Sequence, residues 1–113
     1  MNSNIRQTRV TANIPATYYL RGIQGEGHII DMSVGGIGME VKQLFVLDDL
    51  IRIKFRLPSG NNEEIDFWGI VKNVNGSILG IKYEEISNDA VESINRYMSN
   101  QLLTLGKPAK ENF

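Results

Sequence analysis

Two alternating runs in the middle of the chain constrain its fold more than any other feature. Ile51, Ile53, Phe55 and Leu57 alternate with Arg52, Lys54 and Arg56. After the turn-rich Pro58-Ser59-Gly60-Asn61-Asn62, Ile65 and Phe67 alternate with Glu64 and Asp66. Period-two alternation marks half-buried strands, and the intervening loop is of hairpin length. An antiparallel register with Phe55 opposite Ile65 and Ile53 opposite Phe67 fills the inner face. The same register sets Arg56 against Glu64, Lys54 against Asp66 and Arg52 against Trp68 on the outer face. A slip of one residue would spoil both faces, so the register is strongly specified. The basic stripe is therefore predicted to be neutralised within its own sheet, with Arg52 and Trp68 forming a cation–π pair.

The rest of the chain reads as further strands and one helix. From Val10 to Leu20 the even positions are apolar and the odd ones mostly polar, with Pro15 on the outward side. Proline cannot donate to a ladder, so an edge or bulge is expected there. Gly22 to Gly27 reads as a glycine-rich loop, with strands from about His28 to Ser33 and from Ile37 through Val41. Residues 43–50 are irregular, and Asp48-Asp49 marks a turn. After Phe67 the alternation blurs, as in a strand buried on both sides or bulged. Asn75-Gly76 is the strongest two-residue hairpin signal, and Leu79, Ile81 and Tyr83 then point inward. Ser87-Asn88-Asp89 offers helix N-caps, with Asp89 and Glu92 at the positive end of the helix dipole. Val91, Ile94, Met98, Leu102 and Leu105 form the apolar stripe, widened by Tyr97 and Leu103. Gly106 and Pro108 stop the helix. Antiparallel strands followed by one amphipathic helix make a small β-barrel or rolled sheet with a helix against it.

Composition removes several function classes. The 113 residues suit one domain. The net charge is −1, which argues against bulk binding to nucleic acid or an anionic membrane. There is no cysteine and one histidine, His28. Thiolate and multi-histidine metal sites are thereby excluded, and a Ser–His–acid site would have to use His28, which nothing in the pattern suggests. No apolar run reaches membrane-spanning length and the N-terminus has no signal-peptide order, so a soluble, cytoplasmic, non-enzymatic protein is expected.

The chemistry concentrates in Asp31-Met32-Ser33-Val34-Gly35-Gly36-Ile37-Gly38, a carboxylate, a hydroxyl and three glycines between apolar runs. On local grounds this is a glycine-rich hairpin with a polar cluster. Asp31-x-Ser33-x-x-Gly36 also resembles the second signature of the PilZ domain, the bacterial receptor module for cyclic di-GMP. Arg6 and Arg9 lie where that family carries its first signature. Gly80-Ile81-Lys82-Tyr83 is similar to the family's Gly-x-x-aromatic strand, and a helix pattern follows it, as in the family. The resemblance spans about Arg6 to Leu103.

The resemblance implies a mainly β fold, a six-stranded antiparallel β-barrel of the split-barrel type with a C-terminal α-helix. Residues 1–9 would be a mobile arginine segment, 10–105 the single domain and 106–113 a short tail. It further implies a cyclic di-GMP site, with Arg6 and Arg9 as a clamp and Asp31, Ser33 and Gly36 as the barrel surface. Arginine suits the O6 and N7 acceptors of guanine and also phosphate. A carboxylate suits the opposite guanine edge. The family spaces its arginines four apart. Here they are three apart, and Ile5 stands four before Arg9. In an extended chain that spacing sends the two to opposite sides, whereas a turn makes them converge. Two readings follow. One is a receptor that changes shape on binding and signals to a separate protein in motility, biofilm or secretion control, as a monomer or a homodimer. The other is a PilZ-fold interaction subunit of a pilus or flagellar system that binds the dinucleotide weakly or not at all.

Overall fold

The computed structural model describes residues 8–58 and 62–105, the side chains of 104 and 105 excepted. Arg6, the Ser59-Gly60-Asn61 part of the loop, Gly106, Pro108 and the tail lie outside the described residues.

Six strands close into a barrel: β1 (Arg9–Leu20), β2 (Ile23–Ser33), β3 (Gly36–Glu40), β4 (Leu50–Arg56), β5 (Glu64–Asn75) and β6 (Ile78–Glu85), followed by helix α1 (Asn88–Leu105). The order around the barrel is β1-β2-β3-β6-β5-β4, with every neighbouring pair antiparallel. The expected six-stranded barrel with a C-terminal helix is what forms. The β4–β5 register is the one the two faces require, from Arg52 opposite Trp68 to Arg56 opposite Glu64. Ile53, Phe55, Ile65 and Phe67 are all buried in the core. In β1 the even positions turn inward as expected, with Val10, Ile14, Ala16, Tyr18 and Leu20 buried. The β1–β2 ladder is irregular between Thr11 and Ile14, and the β1–β4 ladder spans only Ala16 to Tyr19. Pro15 thus sits just outside the β4 ladder, where its missing N–H is tolerated.

The structure corrects four local expectations. The Gly22–Gly27 stretch is strand, not loop. Arg21 and Gly22 alone make the turn, with φ of 50° and 82°, the two successive positive values of a type I′ hairpin. Gly25 and Gly27 belong to β2 because side chains there would collide with the Tyr18 ring and with the Glu40 carbonyl, respectively. The β5–β6 turn falls one residue later than expected. Asn75 pairs with Ile78, so Gly76 (φ 64°) and Ser77 form the turn. Arg52 does not use Trp68. It grips Asp66 diagonally through Nε (3.0 Å) and Nη2 (2.8 Å), and the cation–π contact is Lys54 over Tyr19 at 5.6 Å. Two parallel charge-assisted bonds outweigh one stacking contact.

The fourth correction concerns the helix face. Ser87 is its N-cap, its Oγ accepting from the Ala90 N–H at 3.1 Å. Ala90, Ile94, Tyr97 and Met98 are buried, and Val91 is only partly so. Leu102 and Leu103 are 43% and 73% exposed. The buried stripe is rotated toward Ala90 and Tyr97, since the helix is oriented by what it rests on. The Ser93 hydroxyl donates to Glu63 at 2.7 Å, beside the β4–β5 turn that the Leu57 N–H to Glu63 carbonyl bond closes. At the other end of the barrel, Phe45 packs edge-on against Tyr18 with centroids 5.3 Å apart. The Tyr18 hydroxyl donates to Gln43 at 2.7 Å.

Candidate functional site

The β2–β3 turn and the first residues of β1 meet at the end of the barrel that carries α1. Arg9 opens β1 directly opposite Ser33, and Thr11 lies opposite Asp31. Arg9 and Asp31 therefore project on the outer surface from adjacent strands. Arg9 Nη2 donates to Asp31 Oδ1 at 2.6 Å. Asp31 in turn pairs with Gly38 across β2–β3. A Cβ on Gly38 would fall 2.7 Å from one carboxylate oxygen of Asp31 and 3.0 Å from the other. The carboxylate thus lies flat over a glycine, which is why Gly38 is needed where the sequence pattern required only Gly36.

Ser33 and Gly36 shape the turn. Ser33 is 1% exposed. Its hydroxyl donates to the Gly36 carbonyl at 3.2 Å and accepts from the Gly35 N–H at 3.3 Å. Tyr83 holds the same turn from β6, with its hydroxyl 3.2 Å from the Ser33 carbonyl and its N–H 3.0 Å from the Gly35 carbonyl. Burial raises the Tyr83 pKa far above the usual phenol range, with Arg9 opposing weakly, so the hydroxyl stays a donor. Phe67 meets the Tyr83 ring edge-on at 4.9 Å. Gly36 packs so closely on β6 that any Cβ would overlap the Ile81 carbonyl.

Beside the Arg9–Asp31 pair lies a groove of about 330 Å³. Arg9, Ser33 and Gly36 line its near side, and Gly80, Lys82, Lys72 and Asn73 its far side. The structure therefore gathers four of the five expected site residues, Arg9, Asp31, Ser33 and Gly36, at one place. Arg6 lies outside the described residues. The far side was not expected from the sequence, because Lys82 comes from β6, which meets β3 only through barrel closure, and Lys72 and Asn73 come from β5, one strand further on. A larger groove of about 470 Å³ opens where β1 parts from β4. Its charged groups are engaged locally: Glu26 with Thr17, Lys54 with Tyr19, and Arg56 with the Asn62 carbonyl. The smaller groove, with glycine backbone as its floor and cations on both sides, is the better candidate for a polyanionic ligand. Among the described residues no helix is long and apolar enough to cross a membrane, and no group of histidine or carboxylate side chains could hold a metal.

Comparison with known proteins yields one family match and several matches of fold. The model of the PilZ domain family matches residues 4–100. No curated protein sequence matches the chain. Among solved structures, the Bacillus subtilis inhibitor of motility MotI/DgrA superposes with a TM-score of 0.80 at 16% identity, over 89% of this chain and 52% of that one. The PilZ domain of Escherichia coli YcgR with c-di-GMP gives 0.73 at 13% identity, covering 96% and 99%. The K. pneumonia MrkH–c-di-GMP complex gives 0.64 at 18% identity, covering 100% and 56%. The chain thus spans about half the length of the Bacillus and MrkH proteins and nearly all of the isolated YcgR domain.

Proposed function

This chain belongs to the PilZ domain family, and from that membership we propose that it is a receptor for cyclic di-GMP. The observation that carries the reading is the Arg9–Asp31 pair, 2.6 Å apart beside a glycine-floored groove. The pair presents a guanidinium and a carboxylate together, which are the partners for the two edges of guanine. Both side chains are partly exposed, so the bond between them is weak enough to be exchanged for bonds to a ligand. Ser33 and Gly36 act by holding the turn against β6, so that the backbone floor is set before the ligand arrives. Arg6 would approach from the chain preceding β1 and complete the clamp.

In this reading the domain catalyses nothing. Binding would reorient the segment around Arg9, and a separate protein partner, or a second copy of the chain, would read the new surface. Control of motility is the setting that the likeness to the inhibitor of motility supports; biofilm control and a cytoplasmic location are part of the proposal. The three-residue spacing of Arg6 and Arg9 favours the second reading, an interaction subunit of a pilus or flagellar system that binds the dinucleotide weakly or not at all. Isothermal titration with cyclic di-GMP separates the two. Wild-type protein should bind, Arg9→Ala should lose binding, and Asp31→Ala should weaken it by roughly ten- to a hundredfold, both variants staying folded. Absence of wild-type binding at micromolar ligand would overturn the receptor reading.

A further inference from the structure

We propose that the ligand site extends across the β3–β6 seam, with Lys82 as a phosphate ligand and Asn73 as an amide that contacts a base. This rests on the cyclic di-GMP reading of the same groove and adds its far half. Lys82 lies directly opposite Gly36 in the β3–β6 ladder, so its side chain rises from the strand next to the signature turn, with no side chain on Gly36 in between. It lines the same groove as Arg9. Of the cations there, Arg9 is engaged by Asp31 and Lys72 lies 3.8 Å from Asp48. Lys82 has no carboxylate partner among the described residues. It is exposed, and an ammonium is a compact charge suited to a phosphodiester oxygen.

A local departure from strand geometry brings in Asn73. Where β5 pairs with β6, the register shifts between Val71 and Asn73. Val71 is in the core, and Lys72 and Asn73, consecutive in the chain, are both exposed. In a regular strand one of two successive side chains would point inward. At this register shift both side chains line the groove, and bulges, which re-aim side chains, are over-represented next to active sites. The Asn73 amide lies against Gly80, where a Cβ would fall 2.7 Å from Nδ2 and 2.8 Å from Oδ1. It makes no hydrogen bond among the described residues. A free amide and a free ammonium thus face a groove whose other wall holds Arg9. A symmetric ligand with two bases and two phosphodiesters would use both walls, the Arg9–Asp31 wall for one half and the Lys82–Asn73 wall for the other.

The test is titration of wild-type, Lys82→Gln, Asn73→Ala and Lys42→Gln protein with cyclic di-GMP at two salt concentrations. Lys42 lies outside this groove, beside Ser77 at another surface, so its variant changes net charge by the same amount. Lys82→Gln is expected to weaken binding by about tenfold and to make the affinity less sensitive to salt, because one screened charge contact is lost. Asn73→Ala should weaken binding by about fivefold, the worth of one neutral hydrogen bond. Lys42→Gln should bind as wild type, and all variants should melt as wild type. If wild type binds and Lys82→Gln and Asn73→Ala bind equally well, the extended site is overturned while the receptor reading stands. Equal weakening by Lys42→Gln and Lys82→Gln would reduce the effect to net charge and overturn it too. If wild type does not bind, both readings fall together.

Discussion

Replacing Gly38 by alanine should disable the site while leaving the barrel folded, and replacing Gly36 should do the reverse of what a binding-site label suggests. At Gly38 the added Cβ meets the Asp31 carboxylate, 2.7 Å from Oδ1 and 3.1 Å from Cγ. That group is the far end of a side chain, so it retreats by rotating. An off-rotamer or displaced Asp31 costs about 0.5–1.5 kcal/mol, and losing the partly exposed Arg9 pair costs about 0.2–1 kcal/mol more. Gly38→Ala is thus expected to lose roughly 1–2 kcal/mol of stability, yet to weaken cyclic di-GMP binding as much as Asp31→Ala does. At Gly36 the Cβ meets the Ile81 carbonyl, which is backbone and cannot rotate away. Gly36→Ala must separate β3 from β6 locally, and should cost about 3 kcal/mol or more. Urea denaturation followed by tryptophan fluorescence and calorimetric titration would measure both quantities on both variants. Equal destabilisation by the two substitutions, or wild-type affinity in Gly38→Ala, would refute this account of how the glycines act.

Met98 is 4% exposed in the helix–barrel interface. Met98→Glu should therefore lose roughly 2–4 kcal/mol through burial of an unpaired charge; unchanged melting would show that the helix does not dock there. The Arg52 hydrogen bonds, more than its charge, hold the Asp66 carboxyl below the usual carboxylate range against a desolvation penalty that pushes the other way. A depressed folded pKa stabilises the protein above the unfolded carboxylate value, and that stabilisation is lost as pH falls through the folded one. Asp66→Asn should then be less stable than wild type near neutrality by under about 1 kcal/mol, because the pair is partly exposed. The difference should shrink below about pH 4, and a gap unchanged in acid would contradict this origin.

Alternation alone was enough for β1, β4 and the first residues of β5, up to Phe67, because a strand's inward and outward faces are encoded every second residue. The β4–β5 register followed as well, since two strands close in sequence offer few pairings and only one satisfied both faces. The helix start was legible for a similar reason, a serine cap being a contact within one turn. Asp31, Ser33 and Gly36 were legible only as a spaced motif. Nothing in their spacing shows that Asp31 would lie over Gly38 or that the Ser33 hydroxyl would close the turn.

Tertiary structure decided whatever depends on a partner distant in the chain. Gly25 looked like loop because the reason for it, the Tyr18 ring, sits on another strand. The helix face rotated away from the expected stripe because its orientation is set by the barrel beneath it, not by helical periodicity. Arg52 chose Asp66 over Trp68 because rotamers across a twisted ladder reach diagonally as easily as straight across. Lys82 and Asn73 line the groove beside Arg9 only because β3 pairs with β6, and β6 with β5, to close the barrel. Local propensity acts over a few residues and hairpin pairing over a dozen or so. The closure that brings Tyr83 to the Ser33 carbonyl joins residues 50 apart, and what meets across such a distance is settled by packing of the whole core rather than by any local pattern.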